Sequence, residues 1–528
     1  MMRFLWLCRR WACVSIGAIL IGLAGCGHRP SLGFFDIQSD GLSGRKLPIF
    51  GWGIDACLTA HVPANQREVY LKLLREGGVK WLRERQPNSD MAKLKAAGFN
   101  VVSFLGNLHA RNPRVDEDLS DDLRTVFNGA KTLATSPEAR NIDAWEMVGE
   151  PDVGYCRDLP DRLTAFQKAV YLGLKAGSAE IEMKRITPLG TGEKEPDGIG
   201  RLNKQRGMTS EIPDSPEALK RMEGGTRSSS IDSLRFDKPA PSIIMGALAL
   251  PPGPWLKRAT RNGLLDYTDA YNFHFYGNPE DLSEVIVAHD RIAKGARLNG
   301  GGMPDTAELF GTMALEGHER RLRPEQGGLP LWITECGINA VQPSDFLNAE
   351  RRRVQAGFTI STAAQALEAS DVSMFMPFIL THENDPHAMT LAAAKPLPAW
   401  DAYATFIRKN PWPNRRLATP PKNPNPIVVQ WMPDVGAAVA HKVSGTYRFW
   451  QRRPMPGEIR LYNFSAQAVR GKLNSTIPAG FHETRPDPLT GSELVIPAMV
   501  RTVVRVQFAA PPSGYLRGDC EFVFTEAG

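Results

Sequence analysis

Short apolar runs that scarcely alternate recur through residues 48–410, with amphipathic stretches of helical period between them. The runs Pro48–Ile54, Val79–Arg83, Asn100–Leu105, Ala144–Gly149, Ser242–Ala249, Ala270–His274, Leu331–Thr334 and Ser373–Phe378 are rich in β-branched and aromatic residues. Lack of alternation suits strands buried on both faces of a parallel sheet. The intervening stretches Asn65–Glu76, Asp90–Ala97, Leu119–Ala134, Arg162–Ile181, Pro279–Leu298 and Ala349–Ala369 read as helices. In the last of these, Val354, Phe358, Ile360, Ala364 and Leu367 recur every third or fourth residue, the spacing of one buried helix face. Eight strands alternating with helices predict a (β/α)8 TIM barrel. A doubly wound open sheet is the alternative, although Gly51-Trp52-Gly53-Ile54-Asp55 only weakly echoes its glycine-rich loop.

Two stretches break this rhythm. Thr187–Lys238, rich in Gly, Pro, Ser and charge, interrupts the barrel before its fifth strand, and Asn299–Gly328 forms a second excursion with one helical pattern, Asp305–Leu322. Beyond a proline-rich linker, Pro411 to Pro426, the pattern shifts to short strands with close turns: Ile427–Trp431, Ala437–Val443, Gly457–Asn463, Ala468–Leu473, Leu494–Ile496 and Arg501–Phe508. That grammar predicts a C-terminal antiparallel β-sandwich domain over 411–528.

The N terminus reads as an export leader over 1–25 followed by a tether over 26–47. Arg9 and Arg10 precede an apolar run, Val14 to Leu23, too short for a comfortable membrane span. The ending Leu23-Ala24-Gly25-Cys26 resembles a bacterial lipobox, which implies lipidation of Cys26 and a lipid-anchored place in the bacterial cell envelope, on the outer membrane or its periplasmic face. An ordinary secretory signal or a short anchor is the other reading. Formal net charge is +6, of which Arg3, Arg9 and Arg10 lie in the leader; no basic run with interleaved aromatics occurs, which argues against nucleic acid as a partner. Of seven cysteines, Cys57, Cys156, Cys336 and Cys520 lie beyond the leader and Cys26. No C-x-x-C pair exists, so zinc or thiol redox chemistry is not indicated. Export permits a Cys57–Cys156 disulfide, but the sequence does not assign the pairing.

The chemistry resides in two segments, Trp145-Glu146-Met147-Val148-Gly149-Glu150-Pro151-Asp152 and Leu331-Trp332-Ile333-Thr334-Glu335-Cys336-Gly337. Each reads as a buried strand ending on a glutamate before Pro or Gly. Barrel active sites lie at the C-terminal strand ends. Only a closed barrel brings Glu150 and Glu335 face to face, and two carboxylates about 5–5.5 Å apart are the apparatus of retaining glycoside hydrolysis. A close like charge helps to keep one of them protonated.

These segments resemble the strand-4 and strand-7 motifs of the large clan of retaining (β/α)8 glycoside hydrolases. The resemblance implies Glu150 as acid/base, Glu335 as nucleophile and no cofactor. Trp81-Leu82-Arg83 is similar to the clan's strand-2 arginine segment, and Asp269 through Gly277 to its strand-6 segment, whose His274 and Tyr276 line the site. Ser242–Ala249 and the trailing β-domain resemble family 39-like members, so the likeness covers about residues 48–408 in order plus that domain. Two departures stand out. Gly149 replaces the clan's Asn, which normally hydrogen-bonds the sugar 2-hydroxyl. Strand 8 reads Met374-Phe375-Met376-Pro377-Phe378, with Phe378 in place of the usual Trp platform.

Each residue also has a plainer reading. Glu150 suits a helix N-terminus, whereas Glu335 on an apolar strand is costly unless used or paired. Arg83 is either a structural partner for a carboxylate or the cation that keeps Glu335 ionised. His274 and Tyr276 fit sugar contacts and satisfied polar residues equally well. Glu146 shares the strand parity of Glu150 and reads as a supporting inward carboxylate. Trp52, beside Asp55 at the end of strand 1, either stacks on a sugar or packs the barrel mouth. His109 and the pair His382 and Glu383 follow strands 3 and 8 without further support, and no metal motif is present.

The sequence therefore predicts an exported, lipid-anchored hydrolase of O-glycosidic bonds acting on an oligo- or polysaccharide, with the membrane as a partner through Cys26. A carbohydrate-binding lipoprotein on a decayed hydrolase barrel is the alternative, motivated by Gly149 and strand 8. A purely structural envelope lipoprotein leaves the two glutamates unexplained.

Overall fold

The computed structural model describes residues 51–105, 119–153, 160–186, 241–298, 329–338, 348–382 and 385–413, then 425–433, 438–441, 446–449, 455–465, 467–477, 480–484, 491, 493–497, 501–509 and 521–527. Cys26, the leader and tether, His109, Cys156, Glu383, Cys520 and the two excursions at 187–238 and 299–328 lie outside the described residues.

Eight strands run in the predicted order: β1 Gly53–Asp55, β2 Trp81–Glu84, β3 Asn100–Phe104, β4 Ala144–Glu146, β5 Ser242–Ile244, β6 Tyr271–Phe275, β7 Leu331–Cys336 and β8 Val372–Pro377. All pair in parallel, β1 through β5 in one sheet and β6 through β8 in another. Isolated parallel bridges join the two sheets at both seams: Ile244 to Ala270 and Leu248 to Phe273 on one side, Trp52 to Phe375 on the other. Between the sheets, Trp81, Val102, Ala144, Ile244, Ala270, Trp332, Met374 and Met376 form one apolar cluster. Trp81 and Trp332 meet edge to face across it at 5.9 Å. Space is tight enough that a Cβ on Gly53 would come within 2.9 Å of both Cγ and Cε of Met376.

Helices among the described residues are α1 Leu58–His61, α2 Arg67–Gly77, α3 Met91–Ala96, α4 Leu119–Thr135, α5 Pro160–Ile186, α6 Pro254–Arg261, α7 Leu282–Leu298, α8 Ala349–Glu368 and α9 Pro398–Lys409. Helix α8 corrects the face expected from sequence. Val354 is 44% exposed, whereas Arg352, Gln355, Phe358, Thr359, Thr362, Ala363 and Ala366 are buried. The cause is polar packing. Arg352 Nη1 donates to the carbonyls of Pro386 (3.1 Å) and Ala388 (2.7 Å), and Gln355 Nε2 to that of His387 (2.7 Å). The helix thereby fixes the segment that follows β8.

After a short hairpin, β9 Thr390–Leu391 with β10 Lys395–Pro396, the remaining strands are antiparallel. One sheet contains β11 Ile427–Pro433, β14 Met455–Asn463, β16 His482–Glu483 and β18 Arg501–Ala509; another contains β15 Val469–Thr476, β17 Glu493–Ile496 and β19 Glu521–Glu526. A two-stranded ribbon pairs β12 Ala438–His441 with β13 Thr446–Phe449. Side chains from both larger sheets, including Val429, Leu461, Leu473, Ile496 and Phe508, share one core. Strand β11 is tied back to the helices: buried Lys168 on α5 donates to the Asn425 (2.6 Å) and Ile427 (3.1 Å) carbonyls, and the Asn262 side chain exchanges hydrogen bonds with Val429.

Candidate active site

Arg83 is the hub. It is 1% exposed and donates to three carboxylates from three other strands. Nε and Nη2 reach Glu146 of β4 at 2.5 and 3.1 Å, while Nη1 reaches Asp55 of β1 and, at 2.7 Å, Oε1 of Glu335 in β7. Alternation along a strand puts Asp55, Arg83 and Glu146 on the inward face, whereas Glu335, out of step with interior Trp332, comes in where the register of β7 shifts against both neighbouring strands. Burial works against the Arg83 charge, but Glu146, Asp55 and Glu335 outweigh it and raise the guanidinium well above its ordinary range. Glu146 also accepts from Asn272 Nδ2 (3.2 Å) and Thr334 Oγ1 (3.1 Å), so it is fully held and serves as a support behind Glu335.

The second Glu335 oxygen accepts from the Tyr276 hydroxyl at 2.7 Å and lies 3.5 Å from His274 Nδ1. Burial pushes the Glu335 carboxyl up, but His274, Arg83 and Tyr276 together hold it down at about 2. Burial likewise opposes charge on His274, yet Glu335 and Glu150 prevail and raise its affinity for a proton. Tyr276 is raised well above the ordinary phenol range by burial and by Glu335, so it remains a hydroxyl donor.

Glu150 lies past the end of β4, where the strand line continues through Met147 N to Ile244 O (3.1 Å) and Glu150 N to Ala247 O (2.8 Å). At Glu150 the backbone turns into the left-handed region, with φ of 48°. A Cβ on Gly246 would lie 2.3 Å from the Val148 carbonyl, so this close approach of the two chains requires glycine there. Glu150 Oε1 sits 3.1 Å from His274 Nδ1. One oxygen of Glu150, one of Glu335 and a His274 nitrogen all lie within 4.8 Å of one another. The Glu150 side chain is 37% exposed and that of Glu335 14%, so both carboxyls can be reached from the mouth. Asp152 pins the adjoining loop by accepting from Ala249 N (3.0 Å) and Leu250 N (2.8 Å).

Of the residues predicted from sequence, Glu150, Glu335, Arg83, His274 and Tyr276 converge. Phe378 stands beside them, its ring edge-on to Tyr276 at 6.0 Å, and the Phe378–Ile379 peptide is cis. Trp52 does not belong to the group. It precedes β1 rather than ending it, at the opposite end of the strands. There it is buried among Phe375, Tyr403, Phe406 and Trp412 and donates Nε1 to the Asn410 carbonyl at 2.7 Å. A tryptophan enclosed in this way offers no face to a sugar. Cys57 is a buried free thiol that donates to Asp55 at 2.8 Å. His382 lies at the mouth with its ring 4.5 Å from that of His61.

Several neighbours were not singled out from sequence. The Phe104 ring carries Arg83 on its face at 4.8 Å and Arg85 at 5.5 Å. It also lies 3.3 Å from where a Gly149 side chain would begin, so this wall beside Glu150 is aromatic. His387, bonded to Asp385 (3.0 Å) and Ile338 O (3.0 Å), packs against Tyr276 and Phe378. Buried Glu84 accepts from Leu58 N and Thr59 N, which fixes the start of α1 beside Cys57. Phe104 and Arg85 had a readable signal: Phe104 ends β3, and Arg85 directly follows β2 with the parity of Arg83.

No family model and no curated protein matches the chain. Solved structures that it resembles include glycoside hydrolases. A family 39 glycoside hydrolase from Bacteroides cellulosilyticus WH2 is 12% identical, with a TM-score of 0.39, covering 88% of this chain and 81% of that one. A family 128 endo-β-1,3-glucanase from Sorangium cellulosum is 11% identical, with a TM-score of 0.35, covering 69% of this chain and 100% of its own. The β-glucuronidase 2 of Bacteroides uniformis is 10% identical, with a TM-score of 0.41, covering 94% of this chain and 48% of its own. At such TM-scores the likeness is coarse, and the functional reading rests on the site's own geometry.

Proposed function

We propose that the eight parallel strands close into a (β/α)8 barrel and that the protein hydrolyses O-glycosidic bonds by double displacement. The supporting observation is the approach of Glu150 and Glu335, with one oxygen of each within 4.8 Å. So close an approach supports a retaining pair, with carboxyl groups about 5–5.5 Å apart, over an inverting pair at about 6.5–9.5 Å. Glu335, kept ionised by His274, Arg83 and Tyr276, attacks the anomeric carbon, while Glu150 gives its proton to the leaving oxygen. The glycosyl ester consumes the Glu335 charge. Glu150, now a carboxylate, takes a proton from water as that water attacks the ester, and the sugar leaves with its configuration retained. Arg83 and Tyr276 recover a full anionic partner only on release, which favours completion of the cycle.

In this reading the barrel spans 48–410 and carries a β-sandwich at 411–528, and the chain is exported and anchored through a lipid on Cys26. Turnover of aryl glycosides and of plant and bacterial polysaccharides by wild type, lost in a Glu335→Gln variant that still unfolds in one cooperative transition, is the expected result. Equal turnover by the two proteins contradicts the mechanism. Gly149 favours a second reading, a binding protein without turnover, because no side chain at that position can hold a sugar hydroxyl in the transition state. Glycan binding by wild type with no hydrolysis of any member of the panel would select it.

A further inference from the structure

Arg85 stands one residue past β2, and among the described residues its charge has no carboxylate of its own. Among the described residues no hydrogen bond or ion pair reaches its guanidinium, in contrast to Arg83 two positions earlier. It is half-buried and lies on the face of Phe104, the ring that also borders Gly149. Its charge is felt at Glu335, where it adds to the forces holding that carboxyl ionised. Asp55, the nearest acidic neighbour on β1, is already occupied by Arg83 and Cys57. Asp55 and Glu335 both favour the Arg85 charge from a distance, but each already accepts a hydrogen bond from Arg83, so neither is a partner of its own. A partly desolvated guanidinium is costly to leave unpaired. Its planar fork matches a carboxylate or a sulfate ester.

We infer that Arg85, held on Phe104, is a specificity residue that binds an anionic substituent of the sugar, so that the substrate is an acidic glycan. The inference rests on the hydrolase reading for its catalytic consequence, but binding tests it separately.

The first probes are 4-nitrophenyl glucuronides and galacturonides of both anomeric configurations, each beside its neutral glucoside or galactoside, with 6-sulfated glucosides as a further arm. Wild type is expected to favour the acidic member by at least about tenfold in kcat/KM, the scale of one charge-assisted hydrogen bond. Arg85→Met, which retains an apolar stem over Phe104, is expected to bring that ratio close to one, and Arg85→Lys to give an intermediate ratio. A preference for the sulfated over the uronate member assigns the site to a sulfate ester; the reverse assigns it to a carboxylate. A preference for neutral sugars, or an acidic preference that survives Arg85→Met, overturns the inference and leaves the hydrolase intact. In parallel, calorimetry with Glu335→Gln follows binding of a glucuronate-containing tetrasaccharide and of its carboxyl-reduced form. Arg85-dependent binding of the acid alone, with no turnover by wild type, supports the inference while removing the hydrolase reading. Equal affinity for both forms, or binding of neither, overturns it.

Discussion

Arg83 Nη1 lies 2.7 Å from Glu335 Oε1, although 252 positions separate the two residues in the chain. The pair joins two strands of separate sheets, and it sets both the charge of Glu335 and the stability of the strand ends around it.

Removal of that cation leaves Asp55, Glu146 and Glu335 facing one another without the guanidinium that bonds all three. Arg83→Met is expected to cost about 3–5 kcal/mol, the usual penalty for breaking a buried ion pair from one side. Arg83→Lys recovers only part of this, because one ammonium cannot reproduce a fork that meets three carboxylates. Urea unfolding of the three proteins at neutral pH measures both values.

Tyr276→Phe deletes a single hydrogen bond to Glu335 and leaves the ring against Phe378 and His387. A loss of roughly tenfold in kcat/KM is expected, with the acid limb of the pH–rate profile moved to higher pH, since one of the groups that lowers Glu335 is gone. An unmoved acid limb would show that the hydroxyl does not act on Glu335.

Stability should carry the same signature. Glu335 falls from its ordinary 4.5 to about 2 on folding, so between those values the unfolded chain binds more protons than the native one. Its contribution is complete above about pH 4.5 and is lost as pH falls through about 2. The melting-temperature gap between wild type and Glu335→Gln is therefore expected to narrow on acidification across that window. A gap that widens there runs against the proposed charge state.

Glu150→Gln separates the two halves of the reaction. Substrates with a poor leaving group need the proton and should slow by about 10²–10⁴, whereas a dinitrophenyl leaving group needs none and its departure should be nearly unaffected. A burst of dinitrophenol followed by slow turnover, read by stopped flow, is the expected trace. Equal slowing of both substrate types would assign the proton to another group.

Much of this was legible in the chain. All eight parallel strands fell where unalternating apolar runs placed them; Glu150 and Glu335 were named from their positions at strand ends, and Arg83, His274 and Tyr276 from the resemblance of their segments to the glycoside hydrolase clan. What stayed hidden depended on tertiary partners. Arg352 and Gln355 are buried on α8 because carbonyls of a distant segment accept their protons, so the polar face of that helix turns inward. Trp52 looked like a strand-end aromatic, but β1 begins after it and its partners come from α9 and Trp412. Helix α9 itself had a readable pattern, with Trp400, Tyr403, Ala404 and Ile407 buried at helical spacing. Helix α6 is amphipathic too, but at eight residues it is too short for its period to stand out.

The most direct measurement is to trap the glycosyl-enzyme. Wild type is incubated with a 2-deoxy-2-fluoro glycoside of whichever sugar it turns over, digested, and the labelled peptide sequenced by mass spectrometry. An adduct on Glu335, absent from Glu335→Gln, is the expected result. An adduct on Glu150, or hydrolysis of that sugar with inverted configuration and no adduct at all, would contradict the proposed mechanism.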